Sequence, residues 1–410
     1  MAENQIALPQ ILIIGDFPFP TGSAASNNLR GHCQALKAAG FSVGLLPAQD
    51  KGREEDRQSD GTYKYQGCQY WPVYHPLENS RKAYLRRLFL GDEDTRLEFL
   101  KKHDLKGVRA ILLYPSVVGT VPHILSLNRL CKEKHLDLWV YVVEWHDWKH
   151  LRGSLYWSDI FDGEIQRRWL NPSLSGVICI TAHLGKYYEQ KGQKSVRIPP
   201  LLDLQDNTWS RYRKSPESVA FRPLKLLFSG SAGRERHDLI LKSVLDLRKR
   251  GLPVVMEYLG TSLKQIVAIP GVTESLINDL GEGIVFHGRV PQERVYEIAS
   301  AASFCVLLRE DTKWSQSCFP SKVPEFLALG VPILCNFTSD LSMYLQDGHN
   351  AIVIKDLSSA AFSEAIERIL KLSEVDYQQI RRAAWESAAQ FDALAFSPLY
   401  KQMLGASPRP

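Results

Sequence analysis

The chain lacks most of the signatures that would place it in a special class. No apolar run approaches the ~20 residues that span a bilayer, and MAENQIALPQ has no basic stretch leading into an apolar core, so neither an anchor nor a secretion signal is expected. The seven cysteines (33, 68, 131, 179, 305, 318 and 335) are scattered, odd in number and without a CxxC pair. That usage fits a reducing compartment and argues against structural zinc. There is no GxGxxG, P-loop, GxSxG or HExxH, so usual dinucleotide binding, a nucleophile elbow and a metalloprotease site are not expected, nor is any metal or cofactor. Charge of one sign is also scarce. A net +5 permits an anionic ligand or surface but, with no nucleic-acid-binding motif, gives no reason to expect a nucleic-acid partner. A cytoplasmic protein is the resulting expectation.

What remains is ordinary globular composition, 44% hydrophobic and 23% charged, over 410 residues. That length suits two domains better than one core. Apolar runs alternate with helical stretches: QILIIGD (10–16), FSVGLLPA (41–48), RAILLYPS (109–116), LWVYVVEW (138–145), GVICIT (176–181) and SVRIPP (195–200). After an irregular stretch a second series follows: LKLLFSG (224–230), PVVMEYLG (253–260), IVFHG (284–288), SFCVLLR (303–309), PILC (332–335) and AIVIK (351–355). Such alternation predicts parallel sheets with crossover helices. The expected fold class is α/β, with two doubly wound Rossmann-like domains over 1–205 and 206–380 facing a cleft. A helical tail over 381–410 is expected to return to the first domain. Residues 50–66 read as a polar, mobile excursion. The segment RKAYLRRLFLG (81–91) mixes basic and apolar residues. It suits an anionic membrane surface, which would make the protein peripheral at the inner face of the membrane. The weight of the pattern favours an ordinary sheet-covering amphipathic helix.

Ligands of doubly wound folds bind at the carboxyl ends of strands, and four stretches fall there. The first is the small-residue loop FPFPTGSAASNN, where Gly22 and Ser23 allow close backbone approach. The second is Glu144-Trp145-His146-Asp147, with acid/base groups at a strand end. The third is Ser229-Gly230-Ser231 followed by Arg234 and Arg236, arginines suited to a diphosphate. The fourth is CFPSKVPEFLALGVPILCN (318–336). There Ser321 reads as an N-cap, Pro324 as a first-turn residue, Gly330 as the left-handed stop and Ile333–Cys335 as a buried strand. The N-terminal N–H groups and Lys322 suit an anion. Glu325 stands four residues after Ser321 rather than three, so it forms no capping box and its carboxylate is expected to be available to a ligand hydroxyl. His183 and Cys318 read as structural residues.

The pattern FPSKVPEFLALGVPIL, set between two doubly wound halves, resembles the retaining glycosyltransferases of family four, with the GT-B fold. The likeness extends to GDFPFPTGSAASNNLRGHCQALKAAGFSV, VRIPPLLD, LLFSGSAGRERHDLI and FHGRVPQERVYEIASAAS. It implies transfer of a sugar, with retention, from a nucleoside-diphosphate sugar (UDP- or GDP-linked) to a saccharide or lipid-linked acceptor, as in surface-polysaccharide assembly. No metal or cofactor is implied. Glu325 matches the second of the family's two glutamates, eight positions apart, which binds ribose. Ser317 stands where the first, a sugar contact, would be. Phe319, Pro320, Ser321 and Lys322 match the segment that meets the diphosphate and sugar, and Arg234 or Arg236 the basic residues that neutralise the diphosphate. Gly288, Arg289 and Val290 match the turn that receives the base, Gly22 and Ser23 the glycine loop near the phosphates. His146, or else Glu144, matches the strand-end catalytic histidine. The exchange at Ser317 keeps open a second reading, a catalytically weakened GT-B protein that binds nucleotide or glycan or acts as a scaffold. An epimerase or phosphorylase on the same fold is a third, although no local signal for a pyridoxal-phosphate lysine is present.

Overall fold

The computed structural model describes residues 7–20, 23–48, 51–74, 81–90, 94–114, 120–145 and 156–405. The chain divides into two compact units. Residues up to Asp203, with Ser317–Phe319 and the segment from Asp392, form unit 1; Leu204–Gln316 and Pro320–Phe391 form unit 2.

Unit 1 carries strands β1 (Ile11–Gly15), β2 (Val43–Pro47), β3 (Tyr63–Tyr65), β4 (Cys68–Tyr70), β5 (Ala110–Leu113), β6 (Asp137–Val142), β7 (Gly176–Cys179) and β8 (Ser195–Arg197). Their order is β3-β4-β2-β1-β5-β6-β7-β8, parallel throughout except for β3 against β4. β1, β2, β5 and β7 are buried at every position, because helices cover both faces of a parallel sheet.

Residues 51–66 depart from the expected polar excursion. A 3₁₀ turn, Glu54–Asp56, leads into the β3–β4 hairpin. Gln66 and Gly67 close it with positive φ of 45° and 74°, the geometry of a two-residue hairpin turn. Asp56 ties the segment down: Arg53 donates to both its oxygens at 2.9 Å, and the Tyr70 hydroxyl donates to it at 2.7 Å. The first loop is also shorter than expected. The helix begins at Ala24, with the Ser23 hydroxyl accepting from the Ser26 N–H at 3.1 Å. The segment 81–91 contains the helix Arg81–Leu90; of its described side chains, Leu85, Phe89 and Leu90 are 50%, 80% and 81% exposed, with Lys82 and Arg86 exposed beside them. Among the described residues no helix is long and apolar enough to cross a membrane.

Unit 2 carries β9 (Leu224–Ser229), β10 (Val254–Leu259), β11 (Ile284–Gly288), β12 (Phe304–Leu307), β13 (Ile333–Cys335) and β14 (Ala351–Val353), all parallel, in the order β11-β10-β9-β12-β13-β14. The order reverses between β9 and β12, so the loops leaving these two strands part and leave a crevice at their carboxyl ends. One face of the sheet (Leu224, Leu226 and Phe228 with Val254, Met256 and Tyr258) packs on the helices His237–Lys249 and Ser359–Leu370. The helix Glu374–Ser387 lies within unit 2, where buried Arg381 donates to the carbonyls of Ala302 (2.8 Å) and Ser300 (3.3 Å). Helix Ser397–Gly405 belongs to unit 1, where Tyr400 meets the ring of His32.

Burial holds one histidine in each sheet's surroundings, His32 in unit 1 and His237 in unit 2, in the neutral form. Burial lowers His32 from 6.5 to about 3 and His237 to about 4. An unfolded histidine takes up its proton near pH 6.5, so the unfolded state binds more protons between there and the folded values. Stability is therefore present above pH 6.5 and lost as pH falls toward about 4 and 3, by up to ~1.4 kcal/mol per pH unit for each histidine. Urea unfolding at pH 7 and pH 5 should show this loss, and His32→Gln with His237→Gln should flatten it; an equal slope in the double variant would refute the assignment.

Candidate functional site

In a parallel sheet each crossover helix starts at the carboxyl edge. Topology alone therefore brings the loop after β9, the turn after β11, the loop after β12 and the start of helix Lys322–Ala328 to one edge of unit 2. Backbone bonds join the strand tips there. The Gly230 N–H donates to Leu259 O at 2.9 Å, the Thr261 hydroxyl donates to Gly230 O, and the Gly260 N–H donates to Gly288 O at 2.8 Å. Gly230 has φ +135°, which a side chain would strain. Its N–H and C=O both serve the sheet. Arg289 and Val290 follow β11, the first exposed and the second half-buried.

The loops after β9 and β12 are locked to each other. The Arg236 N–H donates to Leu308 O at 2.8 Å. Buried Glu235 accepts from Arg309 Nε (2.9 Å) and Nη2 (2.8 Å) through Oε1, while Glu235 Oε2 and Arg309 Nη1 are buried without a hydrogen-bond partner among the described residues. The guanidiniums of Arg234 and Arg309 lie 4.4 and 5.4 Å from the ring centre of buried Trp314. Asn336 fixes the Arg309 backbone, accepting from its N–H at 2.9 Å and donating to its carbonyl at 2.8 Å. An unmet donor and acceptor beside a stacked arginine suit a ligand's hydroxyls and charge.

Arg236 is half-buried and its guanidinium is forked onto Asp238, at 2.9 and 3.0 Å, with Glu310 at 3.4 Å. The hydrogen bond to Asp238 raises the Arg236 pKa and, in return, lowers that of Asp238. Arg236 is thus a fixed cation already holding carboxylates. His237, next to it, is neutral at pH 7 because burial lowers it, and its Nδ1 lies 3.1 Å from the Tyr258 hydroxyl.

The helix Lys322–Ala328 differs from expectation at its start. Ser321 occupies the N-cap position but has helical φ/ψ (−58°, −15°) and makes no side-chain capping bond. Glu325 is 5% exposed and accepts from Lys322 Nζ at 3.3 Å, so its carboxylate is engaged within the first turn rather than available. The helix is seven residues long, and its pull on an anion comes mostly from Lys322. At its far end Gly330, φ +71°, supplies the left-handed stop before β13. Phe319 and Pro320 are buried.

Ser317 is 0% exposed, and its hydroxyl accepts from the Trp145 N–H at 2.9 Å; both residues group with unit 1. This placement makes it a structural joint. At the carboxyl edge of unit 1, β6 stops at Val142, so half-buried Glu144 and buried Trp145 lie beyond the strand rather than in it. The Trp145 ring carries the Arg167 guanidinium at 4.6 Å. Asp16, just after β1, has a buried Oδ1 without a partner among the described residues. Two expected site residues, Gly22 and His146, lie outside the described residues. His183 is exposed, and Cys318 is half-buried. Among the described residues no group of three His, Cys, Asp or Glu is placed to hold a metal ion.

Sequence reasoning missed Glu235, Arg309, Trp314 and Asp16 as site residues. Their signal was position: Asp16 follows β1 and Arg309 ends the run SFCVLLR, both at strand ends, but the Glu235–Arg309 pairing spans 74 residues and no local pattern carries it.

Residues 223–372 match the family described as Glycosyl transferases group 1, a span running from the residue before β9 to just beyond the helix Ser359–Leu370. No curated protein matches the chain. Among solved structures it is similar to sucrose-phosphate synthase from Thermosynechococcus elongatus, with TM-score 0.71 and 16% identity over 97% of this chain and 99% of that one. It is similar to Anabaena Alr3699/HepE, solved in complex with UDP and glucose, with TM-score 0.64 and 12% identity over 98% and 100%. It is also similar to WaaG, a glycosyltransferase involved in lipopolysaccharide biosynthesis, with TM-score 0.61 and 14% identity over 97% and 100%. The likeness over whole chains fixes the fold as GT-B.

Proposed function

We propose that this GT-B chain, whose residues 223–372 are a glycosyl transferases group 1 domain, moves a sugar from a nucleoside-diphosphate sugar, UDP- or GDP-linked, to a saccharide or lipid-linked acceptor hydroxyl with retention. The observation that carries this reading is the gathering of Arg236, Lys322 and Glu325 at the carboxyl edge of unit 2, beside the loops after β9 and β11. Negative charge grows on the departing diphosphate, and pre-set cations lower that barrier most. Both cations now hold carboxylates, Arg236 the half-buried Asp238 and Lys322 the buried Glu325, and a diphosphate of higher charge would compete for them. Glu325 would hold ribose hydroxyls and Gly288, Arg289 and Val290 would bracket the base, with Gly230, Ser321, Phe319 and Pro320 shaping the walls. Gly22, Ser23, Glu144 and His146 would serve the acceptor side. The leaving phosphate itself would take the acceptor proton, so no protein nucleophile and no metal is needed.

A thermal-shift panel of UDP, GDP, ADP, CMP and dTDP, with their common sugars, tests the donor site. A ligand at a hundredfold excess over its dissociation constant stabilises the folded state by about 2.7 kcal/mol. The expected result is a shift with one nucleoside diphosphate that is lost in Glu325→Ala; no shift with any would overturn the reading.

A second reading has its own observation. Ser317 stands where a sugar-contacting glutamate would, and its hydroxyl is spent on the Trp145 N–H. A protein that binds nucleotide without transferring sugar accommodates this. Measured transfer or donor hydrolysis by the wild type separates the two.

We further propose that the helix Arg81–Leu90 rests on an anionic membrane surface, with Leu85, Phe89 and Leu90 in the interface and Lys82 and Arg86 among the headgroups. Sedimentation with phosphatidylglycerol vesicles should fall in Phe89→Ser/Leu90→Ser; equal sedimentation of both proteins would remove the proposal.

A further inference from the structure

The sheet of unit 2 has a second face, and it is not closed. Side chains alternate along a strand, so the residues between those of the core point the other way: Lys225 on β9, Val255 and Glu257 on β10, Val285 and His287 on β11. The crossover helix Gln292–Ala301 packs on this face through Tyr296, against Trp209 and Tyr212 of the short helix Asn207–Tyr212. It leaves the β10–β11 side open, with Val285 exposed and Glu257 and His287 half-buried. A recess of about 620 Å³ results, bounded by the sheet, the crossover helix and Arg211–Lys214.

The recess is cationic. Its lining sets five arginines and lysines against two carboxylates, Glu257, which is hydrogen-bonded to His287 Nε2 at 2.8 Å, and Glu297, which is paired with Arg294 at 2.7 Å. Arg211, Arg213, Lys214 and Lys225 line the same space, and among the described residues none of them has an ion-pair partner. Arg213 is half-buried, with its guanidinium 3.9 Å from the centre of the Trp385 ring, and Lys225 is half-buried on a strand bonded on both sides. Lysine is seldom buried without a partner. Unmatched like charges around one hollow repel each other and destabilise the folded state, which a bound anion would relieve. The cationic side of the recess lies away from the donor crevice, since Lys225 is near the amino end of β9 and Ser229 is at the carboxyl end, while His287 on the far side adjoins the Gly288 turn.

We propose that this recess binds a small phosphorylated molecule, its phosphate oxygens held by Arg211, Arg213, Lys214 and Lys225. Guanidinium forks suit phosphate geometry, and the volume lies within the range of small-molecule sites, roughly 300–1,000 Å³. Occupancy would tie the segment Arg211–Lys214 to the sheet. The site does not depend on the donor reading.

Inorganic pyrophosphate is the probe, titrated calorimetrically into the full chain, alongside Lys225→Glu, Arg211→Glu/Lys214→Glu and the donor-crevice variant Lys322→Ala. The expected result is binding that weakens at least tenfold in both recess variants and persists in Lys322→Ala, with circular dichroism and melting temperature showing each variant folded. Loss of binding in Lys322→Ala with none in the recess variants would assign pyrophosphate to the donor crevice and overturn the proposal, as would no binding to wild type. Charge reversal at Arg211 and Lys214, which are exposed, tests the site independently should Lys225→Glu fail to fold. Phosphatidic acid vesicles separate the sources of phosphate. Sedimentation lost in Arg211→Glu/Lys214→Glu identifies a lipid headgroup, and sedimentation unchanged in that variant, or absent, leaves the soluble phosphate that calorimetry detects.

Discussion

Exchange of Lys322 for alanine is expected to lower kcat by about a hundred- to a thousandfold. The size is that of removing one fixed stabiliser of developing charge, roughly 2.7–4 kcal/mol of barrier. Lys322 supplies the side-chain cation of the first turn of its helix, and without a capping bond at Ser321 that turn has little else to offer a diphosphate. A loss of stability is expected alongside, because the exchange takes away the ion-pair partner, at 3.3 Å, of a carboxylate that is only 5% exposed. Lys322→Arg should recover part of the rate, since charge is kept while reach and geometry change. Glu325→Ala should act differently. It removes a charged hydrogen-bond acceptor for the donor, worth about 1.5–3 kcal/mol, and should raise KM more than it lowers kcat. Steady-state kinetics with the donor that emerges from the nucleotide panel distinguishes these outcomes. An unchanged kcat in Lys322→Ala would remove the helix start from the chemistry.

The parallel strands were legible because a strand covered on both faces reads as an unbroken apolar run: ILIIG, AILL, GVIC and LKLLFS stand out without any alignment. The β3–β4 hairpin did not. Its strands have three residues each, too few for alternation to register, and Gln66-Gly67 is a weaker turn signal than Asn-Gly. The helix from Ala24 starts earlier than its composition suggests, because Ser and Asn in its first turns are poor helix formers and the Ser23 cap decides the matter instead. The site divides in the same way. Strand-end residues were legible from position, since topology fixes where they lie. Their partners were not. Arg236 is drawn to Asp238 and Glu310, Glu325 to Lys322, and Glu235 to Arg309. Each pairing depends on rotamers and loop paths that spacing does not specify. Ser317 is the sharpest case: its hydroxyl bonds a backbone amide 172 residues away.

Asp94→Ala should be the most destabilising exchange of a charged residue in unit 1, by about 3–5 kcal/mol, the usual consequence of stranding one member of a buried ion pair. Asp94 and Arg96 are both buried. The carboxylate caps the helix Thr95–Lys102, accepting from the Arg96 N–H at 2.8 Å, and takes Arg96 Nε at 2.7 Å and Nη2 as well, with His123 Nδ1 at 3.5 Å. Burial alone would raise the Asp94 pKa; the hydrogen bonds of Arg96, followed by the charges of His123 and Arg96, overcome it and hold the carboxyl well below the ordinary range. Alanine removes the cap and leaves a guanidinium buried beside an unoccupied space. Asp94→Asn keeps the cap but not the charge, and should cost less. The double exchange Asp94→Ala/Arg96→Met removes both charges and should restore much of the loss, because two well-packed apolar groups can replace a buried pair at little cost. Urea unfolding of the three variants at pH 7 separates these terms. A double variant as unstable as Asp94→Ala alone would mean that the cap and packing, rather than the stranded charge, set the penalty.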